Sequence, residues 1–242
     1  MVTVDFRSYA TILQNNYAAI LYSNKESGWL RTSTIASGRR GVFGVVISTH
    51  TYRVENPSDR FREALTDGYG AKSEEEAACL ALRQVNAIDD LDFASGIEFA
   101  IGAFNPAMTA IDLTWIGKAV VFGIAGNQWQ LINAPHLMHR EHEEISREDF
   151  VGRFTTRSIA PSSLDAKADR RSVDLTGFDW VVFATYEPES FENDEMPRIP
   201  PSLYISPGVF AASIANAWID EIHAEISVVA INVAAARAKL TS

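Results

Sequence analysis

Residues 113–136 read LTWIGKAVVFGIAGNQWQLINAPH. Apolar, β-branched runs lie on both sides of Gly117, and a second break falls at residues 126–127. This pattern predicts three strands joined by two tight glycine turns. The first turn carries Lys118, a basic residue between two strands that are apolar enough to be buried.

The same alternation of short apolar runs and polar breaks extends over most of the chain. A helix is predicted to start at Ser73, because Glu76 follows three residues later as in a capping box and apolar residues then recur at helical spacing. Other helices are predicted before Gly68, over 140–157 and over 206–223. The predicted strands cover residues 9–13, 17–23, 42–49, 97–104, 107–117, 119–126, 128–134, 171–175, 179–186 and 226–233.

The order of these elements favours an α+β fold. Helices grouped between hairpins predict two antiparallel sheets flanked by helices, a four-layer αββα sandwich. A doubly wound sheet would alternate strand and helix regularly and carry a glycine-rich phosphate loop, which this sequence lacks. We expect a single domain over 1–242, because no linker or repeat interrupts the pattern.

Composition limits the classes of partner. The formal net charge is −10 and the pI is about 5.0, which argues against nucleic acid and anionic membranes as partners. One cysteine, Cys79, excludes an internal disulfide, and its amphipathic surroundings predict a small core residue. No apolar run is long enough to span a membrane and the first residues do not read as a signal peptide, so a cytoplasmic location is expected.

Four stretches together resemble the type 2C metal-dependent serine/threonine protein phosphatases. Residues 113–136 are similar to that family's strand, Gly-Asp-Ser turn, strand and Leu-Thr-x-x-His stretch. Residues 154–160 (FTTRSIA), 171–188 (RSVDLTGFDWVVFATYEP) and 224–233 (AEISVVAINV) are similar, in order, to its later segments. The resemblance implies the αββα sandwich and a site where aspartates hold two divalent metals and a bridging water attacks the phosphate.

The metal-binding acids of the family are mostly replaced at the positions that the resemblance assigns. Its early Asn-Glu-Asp reads Gln14-Asn15-Asn16 and its first Asp-Gly reads Ile47-Ser48, or Ser48-Thr49 in the neighbouring register. Its last Asp-Asn reads Ala224-Glu225, and its two remaining aspartate turns read Gly117-Lys118-Ala119 and Ala184-Thr185-Tyr186. Amides match carboxylates in shape but carry no charge, and of all these positions only Glu225 is acidic.

These replacements predict a pseudophosphatase. Mg²⁺ and Mn²⁺ need oxygen ligands, mostly carboxylates, and an ammonium in the same space repels them. We therefore expect no cofactor, no catalysis, and a binding or regulatory role toward a protein partner such as a phosphoprotein or a kinase, with Lys118 pairing with Glu225 or meeting a phosphate. An exposed hairpin tip without a role is the plainer interpretation of Lys118. The alternative function is a divergent phosphatase that uses Mn or Mg with acids such as Asp67, Glu225, Asp112, Asp174 or Asp179, and a purely structural protein is a third.

Two other metal sites are conceivable. Residues 67–79 (DGYGAKSEEEAAC) resemble the family's Asp-Gly-Met-Gly-Gly phrase, which would make Asp67 a ligand. The residues before Asp67 read as a helix rather than the required strand, and the distance along the chain to Lys118 fits Ile47 better. His136, His139 and His142 have spacings at which pairs share one helix face, as zinc ligands do, although three ligands would need an irregular backbone.

Overall fold

The described strands form two antiparallel sheets. The computed structural model of the chain describes residues 11–14, 18–22, 29–38, 41–50, 73–86, 96–105, 107–146, 152, 154–160, 163–185, 196, 207, 209–211, 213, 214, 217 and 227–240. Its strands are β1 (Thr11–Gln14), β2 (Ala18–Tyr22), β3 (Trp29–Gly38), β4 (Gly41–His50), β5 (Ile97–Phe104), β6 (Ala110–Ile116), β7 (Val120–Ala125), β8 (Gln128–Leu131), β9 (Asp169–Asp174), β10 (Trp180–Ala184) and β11 (Ser227–Asn232). One sheet has the order β1-β2-β11-β10-β7-β8 and the other has the order β3-β4-β5-β6-β9.

The two sheets pack face to face through one apolar core. Trp115 and Leu113 of β6 lie in the same buried cluster as Phe183 of β10 and Ile231 of β11, so side chains of both sheets meet between the layers. Every neighbouring pair of strands within the sheets is antiparallel. The predicted pair of stacked antiparallel sheets is confirmed.

Helical residues cover the outer faces of both sheets. Helix α1 (Glu74–Asn86) buries Ala77 and Ala78 against Ile97 and Phe99, which point away from the other sheet. On the opposite side of the sandwich, the described residues at 207, 209–211, 213, 214 and 217 are helical. There the Phe210 ring lies 4.4 Å from the ring of Trp180, measured between centroids. The fold is therefore the predicted αββα sandwich.

The predicted start of α1 is confirmed by its cap. The Glu76 N–H donates to the Ser73 hydroxyl at 3.2 Å, which satisfies one of the free amides of the first turn. Glu75, also in that turn, is 7% exposed and receives two hydrogen bonds from the Arg170 guanidinium, at 2.6 and 2.8 Å. This ion pair joins α1 to β9.

The environment of Glu75 favours its charged form. Burial raises the pKa of Glu75, but hydrogen bonds from Arg170, its own backbone amide and Ser73, with the positive charge of Arg170, outweigh burial. The net pKa of Glu75 therefore lies below its usual value. The same partnership raises the pKa of Arg170.

The predicted helix over 140–157 is wrong at the described residues 142–146 and 154–157, which are not helical. Helix α2 covers only Met138–Glu141. Leu137 and Thr155 form an antiparallel bridge, and the Met138 N–H donates to the Phe154 carbonyl at 3.0 Å. A continuous helix of that length would place its ends about 27 Å apart, so this backbone pairing excludes it.

Two further elements differ from the prediction. Strand β3 was not among the predicted strands, and its first residue, Trp29, pairs with His50. The last strand leads directly into α3 (Val233–Leu240), which was not predicted. The Asn232 side chain accepts a hydrogen bond from the Ala235 N–H at 2.8 Å, so it caps α3 and ends the strand.

No described helix is long and apolar enough to cross a membrane.

Candidate functional site

The turn at Gly117 and Lys118 crosses from one sheet to the other. It follows β6 of the five-stranded sheet and precedes β7 of the six-stranded sheet. Lys118 is half-buried, and its neighbours Gly117 and Ala119 are buried. The residue therefore lies at one end of the sandwich, between the layers, and not on an exposed hairpin tip.

A buried carboxylate receives the backbone of this turn. Glu98 of β5 is only 5% exposed, and its Oε2 accepts a hydrogen bond from the Lys118 N–H at 3.1 Å. Gly117 has a φ of +88°, and a Cβ atom built on it would lie 2.5 Å from both Cβ and Cγ of Glu98. Both the dihedral angle and the space beside Glu98 therefore require glycine at position 117.

His136 binds the same turn from the opposite side. Its N–H donates to the Gly117 carbonyl at 2.8 Å, and the Gly117 N–H donates to the His136 Nδ1 at 3.0 Å. Because Nδ1 accepts a hydrogen bond, the ring proton lies on Nε2, which faces Asp169 Oδ2 at 3.1 Å. His136 is 3% exposed, so this tautomer is held inside the protein.

The contacts of His136 continue to the surface. Asp169 also accepts from Arg157 at 3.5 Å, and Arg157 forms a second ion pair with Glu141 at 3.4 Å. Both Arg157 and Asp169 are about half exposed. The chain of contacts thus runs from the buried turn outward, ending in a network of exposed charges.

Asn133 fixes the residues that follow Lys118. It is 5% exposed, its side-chain amide donates to the Ala119 carbonyl at 2.9 Å, and its side-chain oxygen accepts from the Val121 N–H at 2.7 Å. The backbone is therefore hydrogen-bonded to buried side chains on both sides of Lys118.

Strand register brings several predicted site positions to this end of the sandwich. Ile47 pairs with Phe99, which pairs with Ile116, and Ser48 pairs with Glu98. Ile47 and Ser48 therefore lie at the end of the five-stranded sheet that is next to the Lys118 turn.

The six-stranded sheet brings Thr185 to the same end. Thr185 is fully buried and follows Ala184, which pairs with Val120 of β7 and Val228 of β11. Ala224 and Glu225, which precede β11, lie outside the described residues, as does Asp67. Asn15 and Asn16 also lie outside them. Ala18, the next described residue, pairs with Ile231 of β11, which pairs with Val181 of β10. These three residues lie at the end of the six-stranded sheet away from Thr185.

The three histidines do not share one helix face. His136 precedes α2 on non-helical backbone, His139 lies within α2, and His142 follows its end. His139 Nδ1 contacts the Gly152 carbonyl at 2.7 Å, and exposed His142 lies 3.6 Å from Glu144. Among the described residues, no three His, Cys, Asp or Glu side chains are grouped so that they could hold a metal ion.

The other candidate acids lie at the far end of the sandwich. Asp174 pairs with Ala110, the first residue of β6, and Asp112 pairs with Ser172. Asp179 precedes β10 and accepts from the Gly126 N–H at 2.8 Å. Asp112 lies four residues before the end of β6, Asp174 lies opposite the start of that strand, and Asp179 precedes the five-residue β10, so each is about 13 Å or more from the Lys118 turn at the usual rise. The structure does not bring them to the site.

Sequence reasoning missed Glu98 and Asp169. Glu98 stands between Ile97 and Phe99 in an otherwise apolar strand, and that single charge was the available signal. Asp169 had no local signal, because only the fold places it beside His136. At the turn, Glu98 contributes a buried carboxylate and Lys118 a half-buried amine.

Comparison with known proteins agrees with the fold. No protein-family model and no curated protein sequence matches the chain. Among solved structures it is similar to a bacterial serine phosphatase, with a TM-score of 0.69 and 9% identity over 89% of this chain and 97% of the other. It is also similar to a PPM Ser-Thr phosphatase from Mycobacterium smegmatis in complex with cacodylate, with a TM-score of 0.63 and 16% identity over 92% of this chain and 99% of the other. The third is PppA, a regulatory component of T6SS in Pseudomonas aeruginosa, with a TM-score of 0.57 and 12% identity over 85% of this chain and 98% of the other.

Proposed function

We propose that this phosphatase-fold chain is a binding module that recognises a phosphorylated protein partner and does not cleave the phosphate. The observation that carries the proposal is the place of Lys118. The resemblance assigns its position to a metal-binding aspartate, and the structure has it half-buried at the crossover between the two sheets.

Electrostatics favours an anion over a divalent cation beside this residue. At ~4 Å and an effective dielectric constant of ~20, an ammonium and each unit of metal charge repel by ~4 kcal/mol. The same ammonium attracts phosphate as a point charge with three donors. The structural neighbours support a phosphorylated ligand, because two of them are serine or serine/threonine phosphatases and one of these holds cacodylate, an arsenic oxyanion. A third is named as a regulatory component, which supports a regulatory role.

The test compares native protein with Lys118→Met, using Lys167→Met as the matched control because Lys167 is an exposed lysine outside the site. A phosphoserine peptide and its unphosphorylated twin are titrated into each protein. We expect binding of the phosphopeptide only, its loss in Lys118→Met and its retention in Lys167→Met. Equal binding of both peptides, or equal binding by both variants, would refute the proposal.

A second assay addresses catalysis. Native protein is titrated with Mn²⁺ and Mg²⁺ and then assayed for turnover of a phosphoester. We expect neither stoichiometric metal binding nor turnover. Two bound ions with turnover would establish the alternative function instead.

That alternative, a divergent metal-dependent phosphatase, has one structural observation in its favour. Glu98 is a buried carboxylate beside the turn, where the sequence alone offered no acid. If turnover is found, Glu98→Gln should abolish it, since the amide keeps the shape of the side chain and removes the charge.

A further inference from the structure

We infer that His136 and Glu98 are positioning residues for Lys118. They fix the backbone at residues 117 and 118 so that the lysine is presented to a phosphate group from a preset place. The inference rests on the proposed function, because it concerns how the same site binds its ligand.

The turn is hydrogen-bonded at consecutive backbone groups. His136 binds both the N–H and the carbonyl of Gly117, at 3.0 and 2.8 Å. Glu98 accepts from the Lys118 N–H at 3.1 Å, and Asn133 donates to the Ala119 carbonyl at 2.9 Å. Each of these three side chains is at most 5% exposed. A backbone held in this way loses little freedom when a ligand binds, which is the physical basis of preorganisation.

The tautomer of His136 makes the clamp specific. Nδ1 accepts from Gly117 only when it carries no proton, and an ionised Asp169, which can only accept, stabilises the proton on Nε2. Arg157 in turn contacts Asp169, so the exposed ion pair supports the orientation of the buried ring. A flipped ring, or the other tautomer, would leave the Gly117 N–H without its acceptor.

Two substitutions separate the two ring nitrogens. In His136→Asn the amide oxygen takes the place of Nδ1 and can still accept from the Gly117 N–H. In His136→Gln the amide nitrogen takes the place of Nε2 and keeps the contact with Asp169, but the Gly117 N–H loses its acceptor while the Gly117 carbonyl keeps its bond to the backbone N–H of residue 136. His142→Asn is the control, because His142 is an exposed histidine after the end of α2.

In the experiment, inorganic phosphate is titrated into the full chain, and the affinity is measured from the change in the NMR resonances of Lys118. We expect native protein and His142→Asn to bind phosphate within about threefold of each other, and His136→Asn, which keeps an acceptor for the Gly117 N–H, to bind more tightly than His136→Gln. We expect about tenfold weaker binding by His136→Gln, the effect of about one net hydrogen bond. Binding by His136→Gln as tight as by native protein would overturn the inference and leave the proposed function standing.

The native protein supplies a readout that needs no variant. Nitrogen NMR of the His136 ring should show the Nε2–H tautomer, and the Gly117 and Lys118 amides should exchange with solvent far more slowly than that of exposed Asn127. The opposite tautomer, or amides that exchange as fast as that of Asn127, would overturn the inference even if every variant misfolds. If the tautomer and the slow amide exchange are found but phosphate does not bind, the proposed function is refuted, while the hydrogen bonds that fix the backbone at Gly117 and Lys118 are supported.

Discussion

Replacing Gly117 by alanine should destabilise the protein more than the same change at any other described glycine with a positive φ. The reason is that two costs coincide there. Alanine at a φ of +88° costs ~1–2 kcal/mol through its backbone conformation. The new Cβ would also lie 2.5 Å from carbons of Glu98 and 2.7 Å from its Oε2, so the carboxylate that accepts from Lys118 must move.

The second cost follows from the lost contact. A hydrogen bond to a charged group contributes ~1.5–3 kcal/mol, so the total for Gly117→Ala is ~3–5 kcal/mol. Gly126 and Gly177, with φ values of +58° and +104° and nothing within 4 Å of an added Cβ, bracket the dihedral angle of Gly117. Alanine at either control site should cost only the conformational ~1–2 kcal/mol.

Urea unfolding of the variants gives the free energies directly. Repeating Gly117→Ala in a Glu98→Ala background completes a double-mutant cycle, and we expect about 2 kcal/mol of the cost to disappear when the obstructing side chain is absent. If Gly117→Ala costs no more than Gly126→Ala, or if the cycle shows no coupling, then Glu98 does not pack against the turn and the account of the site is wrong.

Three other changes test the contacts that hold α1. Arg170→Ala should lower the free energy of unfolding by ~2 kcal/mol at pH 7, because breaking a partly buried ion pair costs more than breaking an exposed one and less than breaking a fully buried one. Urea unfolding measures this change, with Arg171→Ala as the control. The pKa of Glu75 is lowered in the folded protein, so its contribution to stability is complete above pH 4.5, the usual pKa, and is lost as the pH falls through the pKa of the folded state. Glu75→Gln should therefore make the free energy of unfolding less sensitive to acid. An unchanged dependence of stability on pH would contradict the lowered pKa. Ser73→Ala should cost ~1 kcal/mol in the same assay through loss of the cap, and no change would contradict the hydrogen bond to the first turn.

Local patterns predicted the described strands other than β3, and the capped helix, because a run of apolar residues and a cap are each formed by neighbouring residues. The Trp180–Ala184 strand and Ser73 are examples, since each is specified within a few residues. The helix expected over 140–157 failed for the opposite reason. Its charged residues fit a helix locally, but the Leu137–Thr155 bridge is a long-range contact with no local signal.

The site shows the same division. A turn at Lys118 was predictable from Gly117, but its crossing from one sheet to the other was not, because strand sequences do not state which sheet they join. Glu98 and Asp169 gain their roles only when β5 and β9 bring them beside the turn and His136. Residues that act through distant partners are therefore the part that sequence reasoning could not supply.

The strand order of the larger sheet has a consequence for biosynthesis. Among the described strands, the hairpin of β1 and β2 joins that sheet through β11, with Tyr22 opposite Ser227 and Ala18 opposite Ile231. On the ribosome, the hairpin therefore emerges long before the strand that must lie beside it, and such distant pairing is slow to form. During that interval the edge of β2 that later meets β11 lacks this described neighbour, which makes the nascent chain a candidate for chaperone binding until β11 has left the exit tunnel.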